Sequence, residues 1–250
     1  MYFPRVPLFY ALQHKQEDIK MNYSLIVVGS GGTGSYFLKE FSRFYQGRDD
    51  FFSSMVIFDG DIVEDKNLMR QSFLQDDVGY NKAAVLADVL NDAFGLKWSA
   101  FGKYVTSKED VLLAVKDGTV PVIIGCVDNH ACRLVLEEVF HTADSCIYID
   151  SANEFSSGEV VFSLKENGRI YGPLRSERCP EVKDEDLRSR EEMSCEELNN
   201  AAPQHIATNM LAGNIILSAV CNLISGNYKP GMAVFNSADY SMEFYGSGVA

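Results

Sequence analysis

The sequence predicts an α/β protein built on a mostly parallel β-sheet with helices on both faces. Two observations support this fold class. Short apolar segments alternate with amphipathic segments along most of the chain, and the first apolar segment ends at a cluster of glycines. Such alternation is typical of parallel sheets, because each parallel crossover needs a connection as long as a helix. With 250 residues, the chain is long enough for one large domain or two small ones.

The predicted elements follow one another in order. Strands are predicted where the apolar residues form short continuous runs, and helices where they recur at three- and four-residue spacing. The predicted strands cover residues 25–28, 55–58, 98–105, 120–127, 146–150, 158–164, 232–235 and 242–245. The predicted helices cover residues 35–45, 81–94, 108–116, 129–141 and 201–225. The densely charged segment 165–197 lacks periodicity, and we interpret it as an extended crossover loop that carries function or, alternatively, as a solvated surface excursion.

Composition and charge exclude several classes of protein. Lys and Arg total 22 against 35 Asp and Glu, a net charge of −13, which argues against nucleic acid as the main partner. Six cysteines are too few for a disulfide scaffold. Residues 1–20 contain no continuous apolar run, and polar residues interrupt the most apolar stretch, 206–224, which therefore fits a buried helix better than a membrane span. We expect a cytoplasmic protein with reduced thiols and no membrane contact.

The glycine cluster lies between a predicted strand and a predicted helix. Residues 28–35 read Val-Gly-Ser-Gly-Gly-Thr-Gly-Ser, and Gly29, Gly31 and Gly34 fit the dinucleotide-binding pattern. Glycines there allow a tight turn, close approach of the backbone to phosphate and close helix–strand packing, and the helix start offers unpaired N–H groups. The pattern predicts a nucleotide site in a Rossmann-like fold without saying which nucleotide. Glycines that serve only the turn are the alternative.

The segment after the second strand separates NAD from ATP. Asp59 ends that strand, where a carboxylate accepts hydrogen bonds from a ribose in either case. Arg70 and Lys82 follow, and their charges suit the phosphates of a triphosphate, with Asn67 and Gln71 as neutral donors. An NAD-dependent oxidoreductase has no need for these four side chains just beyond the ribose site. The alternatives are an Arg70 paired with a surface carboxylate and a Lys82 on a helix surface.

In this order the motifs resemble the ThiF/MoeB superfamily, the ATP-dependent activating enzymes of ubiquitin-like and sulfur-carrier proteins. The resemblance spans residues 24–225 and is carried by the segments 29–35, 59–64, 67–71, 78–82 and 126–129. Within the superfamily, the chain is most similar to the ThiF-type proteins of PRTRC systems, found with ParB-related genes on mobile elements. This narrower match is carried by residues 31–35, 96–100 and 193–197.

The resemblance implies a role for each matching residue. Asp59 would hold the ATP ribose, and Asp128 would hold Mg2+ or orient the α-phosphate, although Asp128 could instead cap the helix that begins at Asn129. The implied cofactor-binding set is Gly29, Gly31, Gly32, Gly34, Asp59, Asp61, Asn67, Arg70, Gln71 and Lys82. The implied catalytic set is Arg70, Lys82, Asp128 and Cys195.

The implied reaction is adenylation of the C-terminal carboxylate of a small ubiquitin-like or sulfur-carrier-like protein. The implied organisation is an N-terminal extension, 1–23, and one adenylation domain, 24–250, divided into a nucleotide-binding part, 24–150, and a crossover and C-terminal part, 151–250. A homodimer is implied as well, with Arg5 as a weak match to the arginine that relatives supply from the partner subunit. The alternative function is a non-catalytic nucleotide-binding regulator or scaffold of a PRTRC gene cluster.

The cysteines give separate expectations. Relatives often bind zinc through two Cys-x-x-Cys pairs, and this chain has no such pair, so we predict no zinc. Some relatives place an acceptor cysteine just before the long C-terminal helix, where this chain has Cys195; an ordinary partly buried cysteine is the alternative. Cys179 is a second candidate. The remaining cysteines lie in apolar runs and are expected in the core: Cys126, Cys132, Cys146 and Cys221.

Overall fold

The protein was analysed as a computed structural model that describes residues 22–48, 50–178 and 205–246. The strands are β1 (Tyr23–Val28), β2 (Phe52–Phe58), β3 (Trp98–Phe101), β4 (Val120–Gly125), β5 (Cys146–Asn153), β6 (Ser157–Glu166), β7 (Arg169–Tyr171), β8 (Gly231–Asn236) and β9 (Ser241–Gly246). The helices are α1 (Gly32–Tyr45), α2 (Lys82–Phe94), α3 (Lys108–Leu112), α4 (His130–Thr142), α5 (Arg175–Arg178) and α6 (Ile206–Ile224). Two short 3-10 turns, Asp65–Asn67 and Gln75–Asp77, lie between β2 and α2.

The described strands form one sheet with a parallel half and an antiparallel half. Their order is β3-β2-β1-β4-β5-β6-β8-β9, and β7 pairs with β6 beside this path. Strands β1 to β5 pair in parallel, whereas every pairing that involves β6 to β9 is antiparallel. The predicted fold class is confirmed. The sheet turns antiparallel after β5 because residues 154–156 are too short a link for a parallel crossover.

Helices cover both faces of the sheet, as predicted. On one face, α1, α2 and α6 bury apolar side chains such as Phe41, Leu90 and Ile216 in the larger core. On the other face, α3 and α4 bury Val111 and Leu136 in a second core. By length and composition α6 is apolar enough to cross a membrane. The helix packs against α1 and the sheet and buries residues such as Ile216 and Val220, and 39 % of its apolar window is buried.

Several predicted boundaries shift, and the shifts matter for the site. The strand predicted over 98–105 ends at Phe101, and the helix predicted over 108–116 ends at Leu112. The predicted crossover loop starts later than expected, because β6 continues to Glu166 and is followed by β7 and α5. Because this segment is densely charged, sequence analysis does not single out Arg175. Arg175 is buried, and the carboxylates of Asp150 and Glu159 balance its charge. The rest of that segment lies outside the described residues.

Candidate nucleotide-binding site

A cleft of about 1290 Å³ lies at the carboxyl ends of β1, β2 and β4. Ligands of open α/β sheets bind at such an edge, where the strand order reverses, and β1 has β2 on one side and β4 on the other. Among the predicted site residues that the structure describes, only Gly34 does not line this cleft. Those that line it are Gly29, Gly31, Gly32, Asp59, Asp61, Asn67, Arg70, Gln71, Lys82 and Asp128. Cys195, Cys179 and Arg5 lie outside the described residues.

The glycine turn joins β1 to α1 with little space to spare. Gly29 has a φ of +89°, a region that favours glycine, and a Cβ there would lie 2.6 Å from the Cys126 carbonyl oxygen. A Cβ on Gly34 would lie 2.0 Å from the Gly29 carbonyl oxygen, so Gly34 serves helix–strand packing rather than ligand contact. Gly31 is the N-cap of α1 and offers no side-chain cap. The N–H groups at the start of α1 therefore suit a phosphate.

Asp59 is fixed in place at the end of β2. Its Oδ2 accepts hydrogen bonds from the Ser30 backbone N at 2.7 Å and the Ser30 Oγ at 2.8 Å, and its Oδ1 accepts one from the Asp61 N at 2.9 Å. Burial raises the pKa of Asp59 above its usual value, while the charge of Lys82 and the two backbone N–H donors oppose the rise. A carboxylate accepts about four hydrogen bonds, so one position remains for a ribose hydroxyl.

Lys82 lies at the start of α2 and is not a surface lysine. Only 4 % of the residue is exposed, and its Nζ lies 2.9 Å from Asp61 Oδ2. The Tyr104 hydroxyl donates to the other oxygen of Asp61, and the Tyr104 ring covers Gly60, where a Cβ would lie 2.6 Å from the ring. The alternative of a helix-surface lysine is therefore wrong. Sequence analysis does not identify Tyr104 as a site residue, because it places residues 98–105 in a strand, whereas the strand ends at Phe101.

The 3-10 turn Asp65–Asn67 and the residues that follow it present three further side chains. Asn67 is buried, and its Oδ1 accepts a hydrogen bond from the Glu64 N at 2.9 Å. Gln71 lies over the glycine turn, because a Cβ on Gly31 would lie 3.5 Å from its Nε2. Gln71 Oε1 is buried and has no hydrogen-bond partner in the part of the chain that the structure describes. Arg70 is half-buried and forms no ion pair with any described carboxylate, so its charge is available to a ligand.

Asp128 lies at the exposed rim of the cleft, in the loop between β4 and α4. The N-cap of α4 is Asn129, whose Oδ1 accepts from the Cys132 N at 2.9 Å, so Asp128 is not the capping residue. No group of three His, Cys, Asp or Glu residues in the described segments could hold a metal ion alone. Mg2+ bound to a nucleotide commonly takes one or two carboxylates together with phosphate oxygens, and Asp128 fits that pattern.

Two other polar residues of the cleft wall were missed. Arg133, on α4, donates from its Nη2 to the Val127 carbonyl at 2.6 Å. Asn153, at the end of β5, donates from its Nδ2 to the Thr33 hydroxyl at 2.6 Å, which connects β5 to the start of α1. The sequence offers one signal for Arg133, a basic residue among the apolar positions of a predicted helix. It offers none for Asn153, whose partner lies far away along the chain.

The cysteines differ from the expectation in part. Cys146 is buried in the core, but Cys126 and Cys132 line the cleft and Cys221 is only partly buried. Burial raises the pKa of Cys132 to about 12 and that of Cys126 further. A thiol with so high a pKa is a poor nucleophile at neutral pH. The acceptor role remains a prediction for Cys195 or Cys179, and the absence of zinc also remains a prediction.

Comparison with known proteins identifies the family. The sequence profile of the ThiF family matches residues 6–244. The chain belongs to the ThiF family. This ThiF-family protein is 27 % identical over 128 residues to ubiquitin-like modifier-activating enzyme 5 of Oryza sativa subsp. japonica. The match covers 47 % of this chain and 29 % of the Oryza protein, so the chain spans less than a third of the length of that relative.

Solved structures of the same architecture include MccB of E. coli and PaaA. The MccB structure with ATP has a TM-score of 0.66 at 16 % identity, and the match covers 98 % of this chain and 68 % of MccB. The structure of MccB with AMPCPP and MccA has a TM-score of 0.64 at 16 % identity, covering 91 % and 64 %. PaaA has a TM-score of 0.63 at 17 % identity, covering 98 % and 68 %. At these identities the likeness shows the fold alone.

Proposed function

We propose that this ThiF-family protein is an ATP-dependent adenylyltransferase that activates the C-terminal carboxylate of a small protein or peptide. One observation carries the proposal: Arg70 and Lys82 meet the glycine turn and Asp59 in a single cleft. A triphosphate needs the two cations beyond the ribose site, whereas a nicotinamide dinucleotide leaves them without a purpose. The MccB structures, with ATP in one case and with AMPCPP and MccA in another, support the same reading.

The residues of the cleft suit this reaction. A carboxylate oxygen of the acyl substrate attacks the α-phosphorus of ATP, the bond to the β-phosphoryl oxygen breaks, and the products are an acyl-adenylate and pyrophosphate. The protein positions the two substrates and stabilises the negative charge that spreads over the phosphoryl oxygens. Arg70 and Lys82 would meet that charge, and the first turn of α1 would add backbone N–H donors. Mg2+ held by Asp128 would neutralise further phosphate charge.

The proposal extends to the acyl substrate, the gene cluster and the oligomeric state. The acyl substrate is a ubiquitin-like or sulfur-carrier-like protein that ends in glycine, and the gene belongs to a PRTRC cluster in a cytoplasmic setting. The adenylation domain covers 24–250, and two copies form a homodimer. Support comes from the motif segments that the sequence shares with such proteins. In a following step, the thiolate of Cys195, with Cys179 as the second candidate, attacks the acyl carbon of the acyl-adenylate, the bond to the AMP oxygen breaks, and a thioester and AMP result. The resemblance to relatives with an acceptor cysteine supports this step, and the thiols of Cys126 and Cys132 are poor nucleophiles.

The decisive experiment is ATP–pyrophosphate exchange with the purified protein, assayed alone and with any small glycine-terminated protein that the neighbouring genes encode. Exchange that appears or rises with this protein supports the proposed function. Thermal shift with ATP and with NAD is measured in parallel. Stabilisation by NAD alone would overturn the proposal and favour an oxidoreductase.

The second candidate function is a nucleotide-binding regulator without catalysis. The ion pair between Lys82 and Asp61 favours it, because part of the charge that a triphosphate needs is already neutralised within the protein. ATP binding with no exchange, in the presence of the carrier protein, would support this candidate over the first.

A further inference from the structure

Arg133 lies buried in the inner wall of the cleft and joins two strand ends. Its Nη2 donates to the Val127 carbonyl at 2.6 Å and to the Ser151 carbonyl at 3.1 Å. Val127 immediately precedes Asp128, and Ser151 belongs to β5, the strand paired with β4. The guanidinium therefore ties the loop that carries Asp128 to the neighbouring strand.

Arg133 also lies at ion-pair distance from Asp150, although its Nε finds no hydrogen-bond partner among the described residues. Arg133 Nε lies 3.5 Å from Asp150 Oδ2, and Arg175 Nε lies 2.9 Å from the same oxygen. Arg175 also donates to the carbonyls of Asp150 and Glu159, both at 3.2 Å. Arg133 is 5 % exposed and Arg175 is 1 % exposed. Asp150 is fully buried beside both guanidinium groups, and Arg175 is the one that donates a hydrogen bond to it.

The arrangement around Arg133 requires a guanidinium rather than an ammonium group. Two main-chain carbonyls, one carboxylate and the His130 Nδ1, which lies 3.2 Å from Nη1, surround the planar group. A lysine would offer a single compact charge on a flexible stem. The carbonyl of Val127, a partly buried residue, would lose its hydrogen-bond donor if Arg133 were shortened.

We propose that Arg133 is a positioning residue that holds the Asp128 loop in place for the phosphates, or the metal ion, of a bound nucleotide. The inference rests on the proposed function for the role of Asp128, and it adds a residue that the proposed function does not use. Arg133 acts through the main chain of Val127 and is not a catalytic residue.

A matched pair of variants tests this role. Arg133→Lys and Arg175→Lys make the same substitution at two buried arginines that share Asp150, but only Arg133 contacts the Asp128 loop. In the ligand-free protein, we expect the amide hydrogens of residues 126–129 to exchange about tenfold faster in Arg133→Lys and at the wild-type rate in Arg175→Lys. Equal exchange of this segment in both variants, or no change in Arg133→Lys, would overturn the proposal.

Nucleotide binding supplies a second readout. By calorimetry with ATP and Mg2+, Arg133→Lys should raise the Kd about tenfold, and Arg175→Lys should leave it within about twofold. Combining Arg133→Lys with Asp128→Asn should weaken binding no more than Asp128→Asn alone, whereas additive losses would show that Arg133 acts elsewhere.

If Arg133→Lys does not fold, Arg133→Gln, which keeps one donor for the Val127 carbonyl, takes its place with the same expectations. Hydrogen exchange in the ligand-free protein needs no reaction, so it decides the anchoring even if the wild-type protein shows no ATP–pyrophosphate exchange. If the wild-type protein shows no ATP–pyrophosphate exchange but the two variants differ in hydrogen exchange as expected, the result would count against the proposed function and not against the role of Arg133.

Discussion

Lys82 and Asp61 form a largely buried ion pair in the wall of the cleft, with the Lys82 Nζ 2.9 Å from the Asp61 Oδ2. The pair joins the first residue of α2 to the loop that follows β2, and the Tyr104 hydroxyl donates to the other Asp61 oxygen. A phosphate that binds to Lys82 must share its charge with Asp61. Stability and nucleotide affinity are therefore coupled at this position.

Lys82→Met should lower both the free energy of unfolding and the affinity for ATP. Removing the lysine leaves a largely buried carboxylate without its charge partner, and such losses cost about 3 kcal/mol. Lys82→Met combined with Asp61→Asn should regain most of the stability, because no unpaired charge remains, but it should not regain ATP affinity. Urea unfolding and ATP titration of both variants check this. A double variant as unstable as Lys82→Met would contradict the pairing.

Arg70→Ala should reduce ATP–pyrophosphate exchange by about 10²–10³-fold, because one charge contact to the reacting phosphoryl group is lost. Its effect on the melting temperature should be small, since Arg70 has no ion pair with a described residue. Arg43→Ala is the matched control, an exposed arginine on α1 whose partner is Glu40. Unchanged exchange in Arg70→Ala, or an equal loss in Arg43→Ala, would refute the role of Arg70.

Gly34→Ala should destabilise the protein by about 3 kcal/mol, because the added methyl group would collide with the Gly29 carbonyl oxygen, a backbone atom that cannot move aside cheaply. Gly47→Ala is the comparison, because no atom of a described residue, apart from Gly47 and its chain neighbours, lies within 4 Å of its Cβ position, although its φ of +71° still costs about 1 kcal/mol. Thermal unfolding measures both. An equal loss of stability in the two variants would contradict the close contact between Gly34 and the Gly29 carbonyl oxygen.

Acid should destabilise the loop that leads into α3. A hydrogen bond from Lys103 lowers the pKa of Asp110 to about 2, with help from the Thr106 and Ser107 backbone N–H groups and against a smaller effect of burial. The pKa of the folded state therefore lies below that of the unfolded chain. The contribution of Asp110 is complete above pH ~4 and is lost as the pH falls from about 4 to 2. Measured from pH 6 to pH 2, the melting temperature of the wild-type protein should decrease between about pH 4 and pH 2, and that of Asp110→Asn should decrease less. Parallel curves of melting temperature against pH for the two proteins would contradict the role of Asp110.

Much of the candidate site could be predicted from sequence because its parts are local. The glycine turn, Asp59 and the segment from Asn67 to Gln71 each lie next to a strand end, and strand ends of a parallel sheet share one edge. Gly34 is the exception among the described residues, since sequence alone does not separate a glycine that approaches a ligand from one that approaches another strand.

The contacts that hold the site together could not be predicted in this way. Arg133 and Arg175 share one oxygen of Asp150, and these three residues come from two helices and a strand. Their juxtaposition depends on how α4 and α5 pack on the sheet. The many charged residues near Arg175 in the sequence indicate a solvent-exposed segment. In the structure, Arg175 is instead buried beside the carboxylates of Asp150 and Glu159.

The sequence by itself determined the alternation of strands and helices, the glycine turn and the set of polar side chains that line the cleft. These features follow from periodicity and from motifs only a few residues long, which are local properties of the chain. Tertiary structure alone decided that Lys82 is buried against Asp61, that Asn129 rather than Asp128 caps α4, and that Arg133 donates a hydrogen bond to the Val127 carbonyl. Each of these depends on the distance between residues that packing brings together, and on the need of a buried charge or carbonyl for a partner.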